Sequence, residues 1–395
     1  MRVCFVSDQA FPAFGGEGIS TRNFCLNLEQ RGHKVILLTS KVKNPPSVRQ
    51  INIYRFFSIP IPVKRGYLAF PPMRKLLSLL QDERIELVHI NLPTFLGWQA
   101  LRAARIMRIP VVMGFHVQVG NVIRHSLPLF FFGKLVEGWF SFFFRQGDIV
   151  IAPSSFASRV LHRYTDRPIE VISNGVDLEK FNLEKVSFED RERFRRKYSL
   201  AGFSVLLYVG RLNYEKNVGY LIEIMKNLPR KDIVLLIVGE GELRKELEKK
   251  IKRLRMEKKV ILAGRLEDEE LLCAYAEADI FILPSFTELQ SIATLEAMAM
   301  KNVIMVGKSE ESAAQELVRE GVNGYTFSLK NPRDAADKIG RVLFDEKLKE
   351  RMQKNAFEMV RQHDIRKSVS KLEALYQRLI DSKARQAHQK AVFFD

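Results

Sequence analysis

Twelve short apolar runs, most of them separated by stretches with helical spacing, recur from one end of the chain to the other and leave few folds open to it. The first series is Val3–Ser7, Val35–Thr39, Leu87–Ile90, Val111–Gly114, Ile149–Pro153 and Ile169–Ile172. The second is Val205–Gly210, Val234–Gly239, Val260–Ala263, Ile280–Pro284, Val303–Val306 and Gly324–Phe327. Runs that are apolar almost throughout, rather than at alternate positions, suit strands covered on both faces, which is the condition of a parallel sheet. Parallel neighbours need a crossover, and stretches such as Ile19–Gln30 and Leu243–Arg255 supply helices for it. At 395 residues the chain suits two domains. The expectation is α/β, with two doubly wound, Rossmann-like domains: an N-terminal one over 1–175 and a C-terminal one over 176–363. The join, between Asn174 and about Gly202, is charged (DRERFRRK at its centre) and holds no long Gly/Ser linker. That predicts closely packed domains with a cleft between them.

In open α/β sheets, ligands bind beyond the carboxyl ends of the strands, so the residues just after each run carry most weight. FILPSFTELQSIATLEAMAM, which spans Phe281–Met300, ends a strand at Pro284-Ser285, then places Glu288 in a loop and Glu296 eight positions later on a helix. Such a pair suits a nucleotide-sugar donor, with one acid for sugar hydroxyls and the other for a ribose; two ordinary surface acids would have the same spacing. YVGRLNYEKN sets Arg211 and Lys216 after the first strand of the second series. A guanidinium fork and an ammonium can hold a pyrophosphate and neutralise the charge that grows as it leaves. Gly239-Glu-Gly241 follows the next strand as a second nucleotide-facing turn. In the first domain, Gly15, Gly16 and Gly18 precede a helix expected from about Ile19, where close backbone approach and free N–H groups favour phosphate. The spacing matches neither a dinucleotide fingerprint nor a P-loop. His116, just past Val111–Gly114, either contacts substrate or is structural.

Charge and composition bear on partners. The formal net charge is +17, and residues 30–147 carry 17 Lys and Arg against four Asp and Glu. Such a face attracts anionic lipid headgroups or nucleic acid, or is simply solvated. Leu127–Phe144 contains seven Phe and one Trp, interrupted by Lys134 and Glu137, which excludes a good transmembrane helix. A buried helix and a membrane-interface surface both remain open. Cys4, Cys25 and Cys273 are far apart, with no CxxC, which points to a reducing compartment and away from a zinc site. With strand residues directly after Met1, no signal peptide is expected, and the protein is placed in the cytoplasm.

Taken in order, VSDQAFPAFGGEG, LNLEQRGHKVILLTS, RIPVVMGFH, QGDIVIAPSSFAS, VISNGVD, VGRLNYEKN, VGEGELRKELE, VILAGRLEDEELLCAYAEADIFILPS and the Glu288/Glu296 pair resemble the family 4 retaining glycosyltransferases of GT-B architecture over nearly the whole chain. The resemblance implies a nucleoside diphosphate sugar, most simply a UDP-sugar, bound in the interdomain cleft without an obligatory metal or other cofactor. It implies Arg211 and Lys216 on the pyrophosphate and Glu296 on the ribose. Glu288, with the following Leu289, Gln290, Ser291 and Ile292, then lies on the donor sugar, Gly15, Gly16 and Gly241 on the donor phosphates, and His116 beside the transferred sugar. A final helix, about 364–395, is expected to cross back onto the first domain. Where the family often has Gly-Phe-Gly after the first glutamate, Leu289-Gln290-Ser291 resembles members that glycosylate diacylglycerol-type lipids.

The expected activity is therefore retaining hexosyl transfer to a membrane lipid, diacylglycerol or a phospholipid, by an enzyme peripheral on the inner face of the membrane. Nucleic acid is not the expected partner, and the oligomeric state is open. A soluble sugar or polysaccharide acceptor is the alternative. A non-catalytic nucleic-acid or membrane adaptor on the same scaffold is the other class.

Overall fold

The computed structural model describes residues 1–11, 15–43, 45, 50–61, 66–120, 133–229 and 232–392. They fall into two compact units, Met1–Asn174 with Ile365–Asp395, and Gly175–Asp364. In the first unit the strands are β1 (Arg2–Val6), β2 (Lys34–Ser40), β3 (Asn52–Phe56), β4 (Ser58–Ile61), β5 (Gly66–Ala69), β6 (Leu87–Ile90), β7 (Val111–Gly114), β8 (Ile149–Ala152) and β9 (Ile169–Val171). Seven of them make a parallel sheet in the order β3-β2-β1-β6-β7-β8-β9, and β4 and β5 form a separate antiparallel hairpin. The second unit contains β10 (Ser204–Val209), β11 (Ile233–Val238), β12 (Val260–Gly264), β13 (Ile280–Leu283), β14 (Val303–Gly307) and β15 (Gly324–Phe327). They run parallel in the order β12-β11-β10-β13-β14-β15. Every apolar run of the sequence is therefore a strand, and both units are doubly wound.

Strand order reverses once in each sheet, between β1 and β6 and between β10 and β13. The chain leaves in opposite directions on the two sides of such a point, so a crevice opens beyond the carboxyl ends. Polar residues follow the strands there: Ser7 and Asp8 after β1, Asn91 after β6, Arg211 after β10 and Ser285 after β13. Within the strands the side chains are almost entirely buried; β6, β7, β8, β11, β13, β14 and β15 have no residue even partly exposed.

Three strands, β3, β4 and β5, lay outside the sequence expectation. β3 is an edge strand whose middle residues Ile53, Tyr54 and Arg55 are only half-buried, so its apolar signal is diluted. β4, which pairs with β5, contains Pro60, which a ladder tolerates only at an edge or in a hairpin. One helix boundary also differs. The helix expected from about Ile19 begins at Gly15 (Gly15–Gln30), so Gly16, Glu17 and Gly18 form its first turn rather than a loop. The charged join contains the helix Phe188–Lys197, where Arg191 and Arg195 both pair with the fully buried carboxylate of Glu277.

The last helix, Ile365–Val392, belongs to the first unit. Ile365, Val369, Leu372, Leu375 and Tyr376 complete the core that contains Val3, Phe5, Leu37 and Val112. Burial holds the His89 imidazole down near a pKa of about 3, so the ring is neutral, and its Nδ1 shares a hydrogen bond of 2.5 Å with the Tyr376 hydroxyl. Glu373 adds a surface clasp, taking Arg31 and, at 2.7 Å, His33 Nε2. Cys4, Cys25 and Cys273 are free and buried, and burial raises the Cys4 and Cys25 thiols. No helix among the described residues is long and apolar enough to cross a membrane. Of the Phe-rich stretch, Leu127–Phe132 lies outside the described residues. Its remainder forms the helix Gly133–Phe144, which buries Phe140, Phe143 and Phe144 and exposes Leu135 and Phe142.

Removing the Tyr376 hydroxyl strands a buried imidazole nitrogen. Tyr376→Phe is expected to lower the stability of the first unit by about 1–3 kcal/mol. Urea titration followed by tryptophan fluorescence reads this directly, because Trp98 and Trp139, the two tryptophans of the chain, both lie in that unit.

Candidate functional site

In the second unit the two strands at the order reversal end in loops that are tied together. Tyr208, fully buried in β10, reaches forward so that its hydroxyl donates to the Arg211 carbonyl at 2.7 Å. The Phe286 amide donates to the Glu215 carbonyl at 2.9 Å, joining the loop after β13 to the loop after β10. A third loop, after β14, is joined to Glu288 from both sides. The Glu288 amide donates to the Glu311 carbonyl at 3.3 Å, and the Ala313 amide donates to the Glu288 carbonyl at 2.7 Å. The Gly307–Glu311 segment thus ends directly beside the first acid of the pair.

These ties fix four charged side chains. Lys216 closes a 3-10 turn, Tyr214–Lys216, that is followed by Asn217 in the left-handed region at φ 51°. The Lys216 ammonium donates to Glu288 Oε1 at 2.6 Å, with both side chains largely buried. Arg211 is nearly half exposed and donates to Glu215 Oε1 at 3.0 Å. Two cations thus stand at the strand ends with their charge balanced by carboxylates, one on each. A diphosphate reaching Arg211 and Lys216 meets donors that are already oriented, which is the preorganisation that makes charge stabilisation effective.

Glu296 lies on the helix Ile292–Ala299, which Ser291 caps by accepting from the Thr294 amide at 3.2 Å. Ile292 is buried; Leu289 and Gln290 are half-buried between the acid and the cap. Burial pushes the Glu296 carboxyl up to about 7; the hydrogen bond from the Tyr275 hydroxyl (2.8 Å) and the charge of Lys180 oppose that rise.

Gly241 contributes through space. A Cβ there would lie 2.4 Å from the Leu212 carbonyl oxygen, and one on Gly239 (φ 139°) would lie 1.9 Å from that of Gly210. Glycine at both positions lets the turn after β11 lie flat on the Arg211 loop. Two hydrogen bonds hold it there, from the Leu212 amide to the Glu240 carbonyl (3.0 Å) and from the Leu243 amide to the Leu212 carbonyl (2.9 Å).

The remaining expected residues belong to the first unit, at its own order reversal. His116 follows β7, half-buried, and burial lowers its pKa to about 4, so it is neutral near pH 7. A Cβ on Gly114 would lie 2.8 Å from His116 Nε2 and 2.6 Å from Asn91 Oδ1, so the bare backbone of β7 makes room for both. Gly15 (φ 78°) opens the Gly15–Gln30 helix, and Gly16 is exposed in its first turn.

Several polar groups in this cluster carried no role in the sequence reading. Glu17 Oε1 accepts from Thr21 Oγ1 at 2.8 Å, and Asn91 Nδ2 donates to the same hydroxyl at 2.5 Å. Burial raises the Glu17 carboxyl to about 7, and the neighbouring charge of Asp8 adds to the rise. Asp8 takes Thr94 Oγ1 at 2.5 Å, the Ala69 amide at 2.7 Å and Ser40 Oγ at 3.0 Å. The signal for Asp8 and Asn91 was present, since each is a polar residue directly beyond an apolar strand. The partners of Asp8 are 32 to 86 positions away in sequence and left no local trace. Among the described residues, no group of three or more His, Cys, Asp or Glu side chains could hold a metal ion.

Comparison with known proteins agrees with both units. The Glycosyltransferase Family 4 profile matches residues 14–180, and the Glycosyl transferases group 1 profile matches residues 190–359. An alpha-monoglucosyldiacylglycerol synthase of Streptococcus pneumoniae is 29% identical over 76% of this chain and 69% of its own length. A GDP-mannose-dependent alpha-mannosyltransferase of Corynebacterium glutamicum is 27% identical over 91% of this chain and 85% of its own. Among solved structures, Anabaena HepE in complex with UDP and glucose superposes with a TM-score of 0.78 at 19% identity, over 96% of this chain and all of that one.

The close packing at Gly241 has a measurable consequence. Gly241→Ala must push two backbone segments apart and is expected to destabilise the second unit by about 2–3 kcal/mol. Gly138→Ala, in a helix where an added Cβ meets nothing within 4 Å, is expected to stabilise by about 0.5–1 kcal/mol. Calorimetric melting of the two variants compares them.

Proposed function

This chain belongs to the family 4 glycosyltransferases, and we propose that it transfers a hexose from a UDP-sugar to a membrane lipid of the diacylglycerol type, with retention of anomeric configuration. The observation that carries the donor half is that the joined loops beyond the carboxyl ends of β10 and β13 carry Arg211, Lys216 and Glu288, with Glu296 on the helix that follows. Arg211 and Lys216 hold the diphosphate and take up the charge that develops as it departs. Glu288, paired with Lys216 at 2.6 Å, accepts hydroxyls of the hexose, and Glu296 accepts those of the ribose. Leu289, Gln290, Ser291 and Ile292 line the donor side, and Gly15, Gly16 and Gly241 bring backbone close to the phosphates.

His116, neutral near pH 7, serves as a hydrogen-bonding group beside the transferred sugar. In the transfer the acceptor hydroxyl oxygen bonds to the anomeric carbon as the bond to the diphosphate breaks. The hydroxyl proton passes to a phosphate oxygen of the leaving group. No protein nucleophile enters this sequence; positioning and charge stabilisation lower the barrier.

Support for the lipid acceptor comes from the likeness to the diacylglycerol glucosyltransferase and from the surface of the first unit. Phe57, Ile59, Phe70, Phe95, Leu135 and Phe142 are exposed there. Lys41, Lys43, Arg74, Lys75, Arg102 and Lys134 are exposed on the same unit. Aromatic and aliphatic side chains with basic neighbours suit the headgroup boundary of an anionic bilayer, at about 1 kcal/mol for each Lys or Arg near the surface. On this reading the enzyme acts at the cytoplasmic face of a membrane. The likeness to a GDP-mannose-dependent enzyme favours, as the second reading, another nucleotide sugar and a soluble sugar or polysaccharide acceptor.

Incubation with radiolabelled UDP-glucose and anionic vesicles containing diacylglycerol is expected to give label in the organic extract. Label appearing only with GDP-mannose, or only on soluble sugars, would replace this donor and acceptor with those of the second reading. Lys216→Ala and Glu288→Gln, with the fold verified by circular dichroism, should each lower turnover about a hundredfold. Near-normal turnover in either variant removes that residue from the mechanism.

A further inference from the structure

Tyr275 lies near the end of the helix Asp268–Ala276, well away in sequence from the Arg211 loop, yet it is entirely buried and touches the donor machinery. Its ring is wedged between Phe181, edge-on at 5.9 Å, and Phe281 of β13, at 6.3 Å. Its backbone carbonyl accepts Asn302 Nδ2 at 2.9 Å, and the same amide donates to the Ala278 carbonyl at 3.0 Å. Ring and main chain are both held. The hydroxyl that this packing holds in place points at Glu296 Oε2, 2.8 Å away, with the Ala293 carbonyl as a weaker partner at 3.4 Å.

We infer that Tyr275 is a positioning residue for nucleotide recognition: its hydroxyl occupies one oxygen of Glu296, favours the ionised carboxylate, and leaves the other oxygen to accept the ribose hydroxyls of the donor. This rests on the assignment of Glu296 to the ribose. A carboxylate that must accept both hydroxyls of a ribose gains from being held, because a free carboxylate would lose rotamer freedom on binding. The hydrogen bond from Tyr275 also stabilises the charged form of a buried acid, and so counters the desolvation that favours the neutral one.

Ionisation matters because a protonated Glu296 has an acceptor oxygen replaced by a donor. The groups acting on its charge are few. Tyr275 donates to it from the Asp268–Ala276 helix, Lys180 draws its pKa down, and Asp268 pushes it up. Lys180 and Asp268 pair with each other at 2.7 Å, so their effects partly cancel. With the Glu296 carboxyl raised by burial to about 7, the binding form is gained as pH rises through neutrality and lost as it falls. Removing the Tyr275 hydroxyl takes away a stabiliser of the anion, so the midpoint must move up.

Calorimetric titration with UDP and with 2′-deoxy-UDP between pH 5.5 and 8.5 tests this. The wild type is expected to bind UDP more tightly as pH climbs through about 7 and to prefer UDP over the deoxy analogue. Tyr275→Phe should bind UDP about tenfold more weakly at pH 7, with its midpoint shifted upward and its preference for the ribonucleotide reduced. Site-specific 3-fluorotyrosine at position 275 keeps the packing, and its more acidic phenol is a stronger donor, so its midpoint should move downward. Glu296→Gln should bind weakly at every pH. A wild-type midpoint and ribose preference in both Tyr275 variants, with Glu296→Gln impaired, would reduce Tyr275 to a packing residue and overturn the inference. Wild-type binding by Glu296→Gln would instead sink the ribose assignment, and the inference with it.

Discussion

A parallel strand buried on both faces has little place for a polar side chain without a hydrogen-bond partner, and that constraint organises this protein. Across β10, β11, β13 and β14 the side chains are almost all apolar and shielded, so charge collects where the strands stop. Strand order turns back between β10 and β13, which leaves room beyond their carboxyl ends, and the loops after the two strands are tied together there by the Phe286 amide and the Glu215 carbonyl. Arg211, Lys216 and Glu288 occupy that room. The same constraint acts in the first unit, where Asp8, Asn91 and His116 follow β1, β6 and β7.

Charges brought together at a partly buried site need partners, and each partnership here also orients. Lys216 neutralises Glu288 and points it; Tyr275 orients Glu296 without adding charge. In the first unit Asp8 takes three donors and Glu17 takes Thr21 at 2.8 Å, while burial pushes both carboxyls up. His116, kept neutral near pH 7 by burial, adds a hydrogen-bonding group without positive charge to that cluster. The glycines act at a different level. Gly239 and Gly241 bring the β11 turn against the Arg211 loop, so the cation is backed by packed main chain.

Much of the fold was legible because it depends on local pattern. Short apolar runs marked the parallel strands, and their alternation with helices marked the doubly wound class. What escaped was non-local or irregular. β3 hides its strand character behind an edge exposure, β4 behind Pro60, and the Gly15–Gln30 helix starts inside a glycine cluster that resembles a loop. For the site, strand-end polar residues could be picked out by position alone. The Lys216–Glu288 contact spans 72 positions and the Tyr275–Glu296 contact 21, and no periodicity predicts either. Tyr275 in particular sits in LLCAYAEAD, where it passes for one more apolar residue of a packed helix.

Hydrogen–deuterium exchange with and without UDP tests the central claim, that the nucleotide is held at the strand-order reversal of the second unit. Slower exchange in residues 210–217 and 285–297 is the expected result, since those segments hold Arg211, Lys216, Glu288 and Glu296, the proposed diphosphate and sugar ligands. Unchanged exchange in both segments at saturating UDP, or protection at the amino-terminal ends of the strands instead, would contradict it.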